Sequence, residues 1–134
     1  MSYSNNPTSI LAGSGITVTP TTGTGSNTIT ISSSGGAFVD IRTAVATPIT
    51  VVAATDNVID VAVPGPVAVA VTLPAGVLGQ EFTIKDGLGL ASPATPITIT
   101  PTAPDTIDGA ATAVINAPYG SLTFVYNGTQ WLII

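Results

Sequence analysis

The sequence predicts an all-β fold of many short antiparallel strands, arranged as a sandwich, barrel or prism, with an extended N-terminal arm. Three observations predict it. Runs rich in Val, Ile and Thr recur along the chain with Pro or Gly between them, and β-branched side chains suit a pleated, half-buried surface. No stretch places apolar residues at helical spacing between capping residues. Charged residues make up 7% of the 134-residue chain, against roughly 25% in a typical soluble domain. Such a surface is expected to be shielded by copies of itself or by a larger lattice.

The elements follow in chain order. The first charge is Asp40, and Ser32-Ser33-Ser34-Gly35-Gly36 is a run of small, flexible residues. The reading therefore divides the chain into an uncharged arm, 1–36, and a compact body, 37–134. In the arm, strands are expected at Ile16 to Thr19 and Thr28 to Ser32. Their open edges would template further pairing unless covered, so Ile16, Val18, Ile29 and Ile31 are predicted to lie in an assembly interface. In the body, strands are expected at Phe38 to Arg42, Pro48 to Ala53, Val58 to Val63, Val67 to Leu73, Gln80 to Lys85, Ile97 to Thr100, Ala111 to Ile115, Ser121 to Tyr126 and Gln130 to Ile134.

Two segments specify more. Tyr126-Asn127-Gly128-Thr129 predicts a hairpin with a two-residue loop, because Asn-Gly accepts positive φ at both turn positions. That register sets Phe124 opposite Trp131 and Leu122 opposite Ile133, with Val125, Leu132 and Ile134 on the other side and both sides buried. In the run from Val67 to Leu73, the valines form one face and Ala68, Ala70 and Thr72 the other. Alanines where Lys or Glu would normally stand imply close approach of another sheet or subunit, and Val67, Val69 and Val71 join the predicted assembly interface.

Chemistry is sparse. The chain has no His and no Cys, which removes the commonest general base, the thiolate nucleophile and the usual transition-metal ligands. Two carboxylates could serve a glycosidase, but the few aromatics lie within strands or beside turns, and the reading is not an enzyme, with no cofactor. Asp105-Thr106-Ile107-Asp108-Gly109 offers two carboxylates where Ca²⁺ takes six to eight oxygens; a turn capped by Asp side chains is the stronger reading, with a calcium ion at Asp105 and Asp108 left open. A net charge of −5 with Arg42 and Lys85 as the only cations provides no patch for nucleic acid or anionic membrane. A glycan site would need exposed aromatics beside polar loops, for which Tyr119, Trp131 and Asn116 are the candidates.

Gly15-Ile-Thr-Val-Thr, Asn27-Thr-Ile-Thr-Ile-Ser, Gly79-Gln-Glu-Phe-Thr-Ile-Lys-Asp, Asp105-Thr-Ile-Asp-Gly, Tyr119-Gly-Ser-Leu-Thr-Phe-Val and Gly128-Thr-Gln-Trp-Leu-Ile-Ile together resemble segments of bacteriophage tail-fibre and other virion surface proteins. The resemblance implies a trimeric, β-rich exterior part of a phage particle, assembled in the host cytoplasm. With some 36 residues ahead of the body, the chain suits a capsid decoration (cement) protein that binds the major capsid protein or other virion proteins. The alternative is a short tail-fibre or tail-tip knob involved in host receptor binding.

Overall fold

The computed structural model describes residues 39–134 together with two strands of the N-terminal region, and it divides into two units, Met1–Phe38 and Val39–Ile134. In the first unit, β1 (Ile16–Pro20) pairs antiparallel with β2 (Ile29–Ser33), Val18 opposite Ile31. The side chains of Ile16, Val18, Ile29 and Ile31 lie outside the described residues.

In the second unit the strands are β3 (Ile41–Ala44), β4 (Ile49–Thr50), β5 (Val58–Val61), β6 (Val69–Leu73), β7 (Glu81–Asp86), β8 (Ile97–Pro101), β9 (Ala113–Ile115), β10 (Ser121–Tyr126) and β11 (Trp131–Ile133). They form a five-stranded sheet, β11-β10-β7-β5-β3, and a four-stranded sheet, β4-β6-β8-β9. No helix occurs among the described residues.

The expected antiparallel pairing is replaced in this unit by mixed sheets. From β3 to β8 the chain alternates between the two sheets, so each strand pairs with the strand two places later: β3 with β5, β5 with β7, β4 with β6, and β6 with β8, all parallel. Within this unit the antiparallel pairs are confined to the last strands, β8 with β9, β7 with β10, and β10 with β11. Pro- and Gly-rich loops that cross between sheets carry the same residues as hairpin turns, which is why the sequence concealed the crossing.

The two sheets share one core. Each strand contributes alternate side chains: Ile59 and Val61, Val69, Val71 and Leu73, Phe82 and Ile84, Ile97 and Ile99, Phe124 and Tyr126, with Trp131 fully enclosed. Phe82 and Tyr126 lie 5.6 and 5.2 Å from the Trp131 ring, centroid to centroid, the latter edge-on, within the range of favourable aromatic pairs. Gly76 is required where it stands, because a Cβ there would overlap the Tyr126 ring.

The β10–β11 hairpin departs from its predicted register by two residues. Tyr126 faces Trp131 and Phe124 faces Ile133, so the loop is Asn127-Gly128-Thr129-Gln130. The Asn127 side-chain oxygen accepts the amides of Thr129 and Gln130, each at 2.9 Å, and this local cap favours the longer loop over the two-residue one. A slip of two preserves which residues face inward, but the outer side is not enclosed: Val125 and Leu132 are half-buried and Ile134 is exposed. The two-residue turn with both central φ positive occurs instead at Asp108 (φ 47°) and Gly109 (φ 78°), where Ile107 and Ala110 exchange backbone hydrogen bonds of 2.8 and 2.7 Å.

Candidate assembly surface

The residues singled out in β6 separate on folding. Val69 and Val71, 5% and 1% exposed, belong to the protein's own core, whereas Val67 stands in the loop before β6 and is 44% exposed. The alanine side of the same strand is the outward one: Ala68 and Ala70 are exposed and Thr72 half-buried. The inference of close approach therefore attaches to the alanine face rather than the valine face.

Strand register builds that face into two rows. Thr50, Thr72 and Thr100 stand side by side across β4, β6 and β8, and Ala70, Thr98 and Val114 across β6, β8 and β9. Neighbouring strands are about 4.8 Å apart, so each row is a continuous strip of short side chains. No ionisable residue interrupts it. The outer face of the five-stranded sheet differs: Asp60 and Lys85 are opposite one another on β5 and β7, and Glu81 stands at the start of β7. Of the two outer faces, the four-stranded sheet alone is free of charge.

Sheet edges add a second surface. The β11 edge is covered, because Trp131 donates its amide to Thr106 and accepts from the amide of Asp108, each at 2.9 Å, and the Ile133 amide reaches the Asp108 carboxylate at 3.3 Å. Among the described residues no strand pairs with the outer edge of β3. Along its flank Val39, Ile41 and Val45 are exposed, while the charged residue of the strand, Arg42, turns inward. Its guanidinium bonds both oxygens of Asp56 at 2.9 and 2.8 Å and the Thr50 carbonyl at 2.9 Å. An inward-pointing charge is a recognised guard on an edge strand. The Arg42 hydrogen bond holds the Asp56 carboxyl below the usual range against the opposing effect of burial, with help from the Val52 amide, and Asp56 in turn raises the guanidinium pKa.

The other carboxylates serve as internal braces. Asp86, 2% exposed, accepts the amides of Gly89, Leu90, Ala91 and Tyr119 at 3.1, 3.3, 2.9 and 3.1 Å. Burial alone would raise its pKa, and the four amides outweigh that and lower it. They also hold Tyr119 at φ 58°, a conformation unusual for a bulky residue. Asp105 accepts the Tyr126 hydroxyl at 3.0 Å and the Gly76 amide at 2.8 Å; the hydrogen bond raises the Tyr126 pKa, with desolvation second. Asp105 and Asp108 thus act on separate backbone and hydroxyl partners, and among the described residues no three His, Cys, Asp or Glu side chains gather as a metal site.

Of the glycan candidates, Trp131 is fully buried and its Nε1 has no hydrogen-bond partner, while Tyr119 and Asn116 are exposed on one loop. The depression bordered by Val63, Val67, Asp86, Leu90 and Thr95 encloses about 10 Å³, room for a single water. No helix among the described residues is long and apolar enough to cross a membrane. Sequence reasoning missed the exposed β3 flank because it placed that strand at Phe38 to Arg42; the alternation Val39, Ile41, Thr43, Val45 was the available signal. Compared with protein-family models and with curated proteins, the chain matches none, so its surfaces carry the functional argument.

Proposed function

We propose that this chain is a structural protein of a bacteriophage virion, a homotrimeric capsid decoration (cement) protein that stabilises the shell. The observation that carries the reading is the uncharged outer face of the four-stranded sheet, Thr50, Ala70, Thr72, Thr98, Thr100 and Val114. Short side chains let a second backbone come close, and nothing ionised is stranded when water leaves. In a closed ring each copy presents one patch to a different patch on its neighbour, and the Val39, Ile41, Val45 flank of β3 supplies the second patch. The resemblance to virion surface segments supplies the setting.

A decoration protein acts by mass action. Binding the assembled lattice and not the free shell subunit stabilises the assembly by RT ln(1 + [L]/Kd), about 4 kcal/mol at a thousandfold excess over Kd. Particles lacking the protein are expected to burst at lower temperature while still adsorbing to cells. Intact, heat-stable heads with lost adsorption would reject the decoration reading and favour the short tail-fibre or tail-tip knob. For the trimer, light scattering should give three-chain units that Thr98→Lys breaks into monomers; a folded wild-type monomer at micromolar concentration defeats it.

A further inference from the structure

The loop between β10 and β11 carries a reactive pair. The chain has six asparagines, and Asn127 is the one followed by Gly; the others precede Asn, Pro, Thr, Val or Ala. The side-chain carbonyl of an asparagine is open to attack by the backbone nitrogen of the next residue, because the two close a five-membered ring. A following side chain obstructs that approach, and Gly128 has no Cβ to do so. Both residues are exposed to water.

The fold arranges the pair further. The Asn127 side-chain oxygen accepts the amides of Thr129 and Gln130, each at 2.9 Å, which curls the side chain back over the Asn127–Gly128 peptide. Among the described residues the Gly128 amide and the Asn127 NH₂ group have no hydrogen-bond partner, so nucleophile and leaving group are both uncommitted. The two donors are held in place from outside. The Asn127 amide donates to the Gln130 carbonyl at 3.1 Å, and the Gln130 side chain accepts the Gly109 amide at 2.8 Å and the Thr106 hydroxyl at 3.3 Å.

We propose that Asn127 is a self-modification site, at which the folded hairpin converts its own asparagine to aspartate and isoaspartate. The Gly128 nitrogen adds to the Asn127 side-chain carbonyl carbon and gives its proton to solvent. Negative charge gathers on the carbonyl oxygen, where the Thr129 and Gln130 amides already point. Donors placed in advance stabilise such an oxyanion more than the neutral carbonyl. The bond from that carbon to Nδ2 then breaks, the nitrogen leaves as ammonia, and a cyclic imide remains. Water opens the imide at either carbonyl: one way leaves aspartate at 127, the other routes the backbone through the side chain. No oxidant or cofactor enters. Net charge moves from −5 to −6, a large relative change in a chain so poor in ions. The inference stands apart from the virion reading.

The test is incubation of the full-length protein at mildly alkaline pH, followed by isoelectric focusing and peptide mapping by mass spectrometry. A species one charge more acidic should accumulate with first-order kinetics, faster as pH rises, with one ammonia released per chain. The change should map to residue 127, with isoaspartate detected by a protein-isoaspartate methyltransferase, and leave Asn57 and Asn116 intact. Asn127→Gln should stay in its starting form, since the longer side chain must close a six-membered ring; fluorescence of the buried Trp131 certifies its fold. The wild type unfolded in urea at the same pH and temperature supplies the reference, and the native protein should convert at least as fast. Slower conversion in the native state, or none, overturns the proposal, because the two hydrogen bonds would then lock the amide instead of activating it. So does an acidic species that forms equally in the Asn127→Gln variant.

Discussion

Replacing Asp86 by Asn changes shape little and removes the charge that four backbone amides share. In the wild type one carboxylate oxygen accepts from Gly89 and Leu90 and the other from Ala91 and Tyr119. The variant keeps one oxygen as a neutral acceptor and turns an NH₂ group toward the remaining two amides. A hydrogen bond to a charged group contributes about 1.5–3 kcal/mol, and a buried donor left unmade costs about 1–3 kcal/mol. Two lost and two weakened bonds, softened by local relaxation, give about 3–5 kcal/mol, a large share of the roughly 5–15 kcal/mol that holds a domain folded. Urea unfolding followed by Trp131 fluorescence measures it, and at roughly 4–8 °C per kcal/mol for a domain of this size the melting temperature should fall by more than about 12 °C. The pH dependence gives a second reading. Because the folded pKa of Asp86 is lowered, its contribution is complete above the unfolded value of about 3.9 and disappears as pH falls through the folded one; D86N should lose that part of the acid sensitivity. A destabilisation below about 1 kcal/mol at neutral pH would refute the view that this carboxylate organises the loops that carry Gly89, Leu90, Ala91 and Tyr119.

Arg42→Met should destabilise by about 1–3 kcal/mol, because Asp56 would keep its burial and lose its counter-ion; Asp56→Asn in the R42M background should restore part of the loss in the same denaturation assay. Since the folded pKa of Asp56 is lowered, its stabilisation should likewise fade only as pH drops below the ordinary carboxylate range. Gly109→Ala should cost about 1 kcal/mol, since φ 78° is strained for any residue with a Cβ, and a melting temperature equal to wild type would contradict the two-residue turn. Gly76→Ala, which drives a methyl group into the Tyr126 ring, should cost about 1–3 kcal/mol by thermal denaturation. Calcium and chelator should leave the melting temperature alike, because Asp105 and Asp108 are committed to separate partners; a rise with millimolar calcium would restore a metal site there.

Strand positions were legible in the sequence because period-two alternation is a local property: the expected cores of β5, β6, β7, β8 and β10 coincide with the observed ones. So were the turn at Asp108-Gly109 and the scarcity of charge, which depend on residue type alone. What each strand pairs with was not legible. A Pro-Gly loop returning beside its own strand and one crossing to the opposite sheet are chemically alike, and the choice depends on which apolar faces enclose a common core. The same holds for the candidate surfaces. Alternation showed that β6 has a valine face and an alanine face, but only the second sheet packing against Val69 and Val71 decided that the alanines face outward. The gathering of loops 45–48, 62–68, 87–96 and 116–120 at one end, and of Asp40, Asp56, Glu81, Asp105 and Asp108 at the other, follows from parallel winding between sheets. Composition determined that this protein is poor in ions; the tertiary fold decided where the few it has are kept, because only long-range pairing brings residues 40, 56, 81, 105 and 108 to one end.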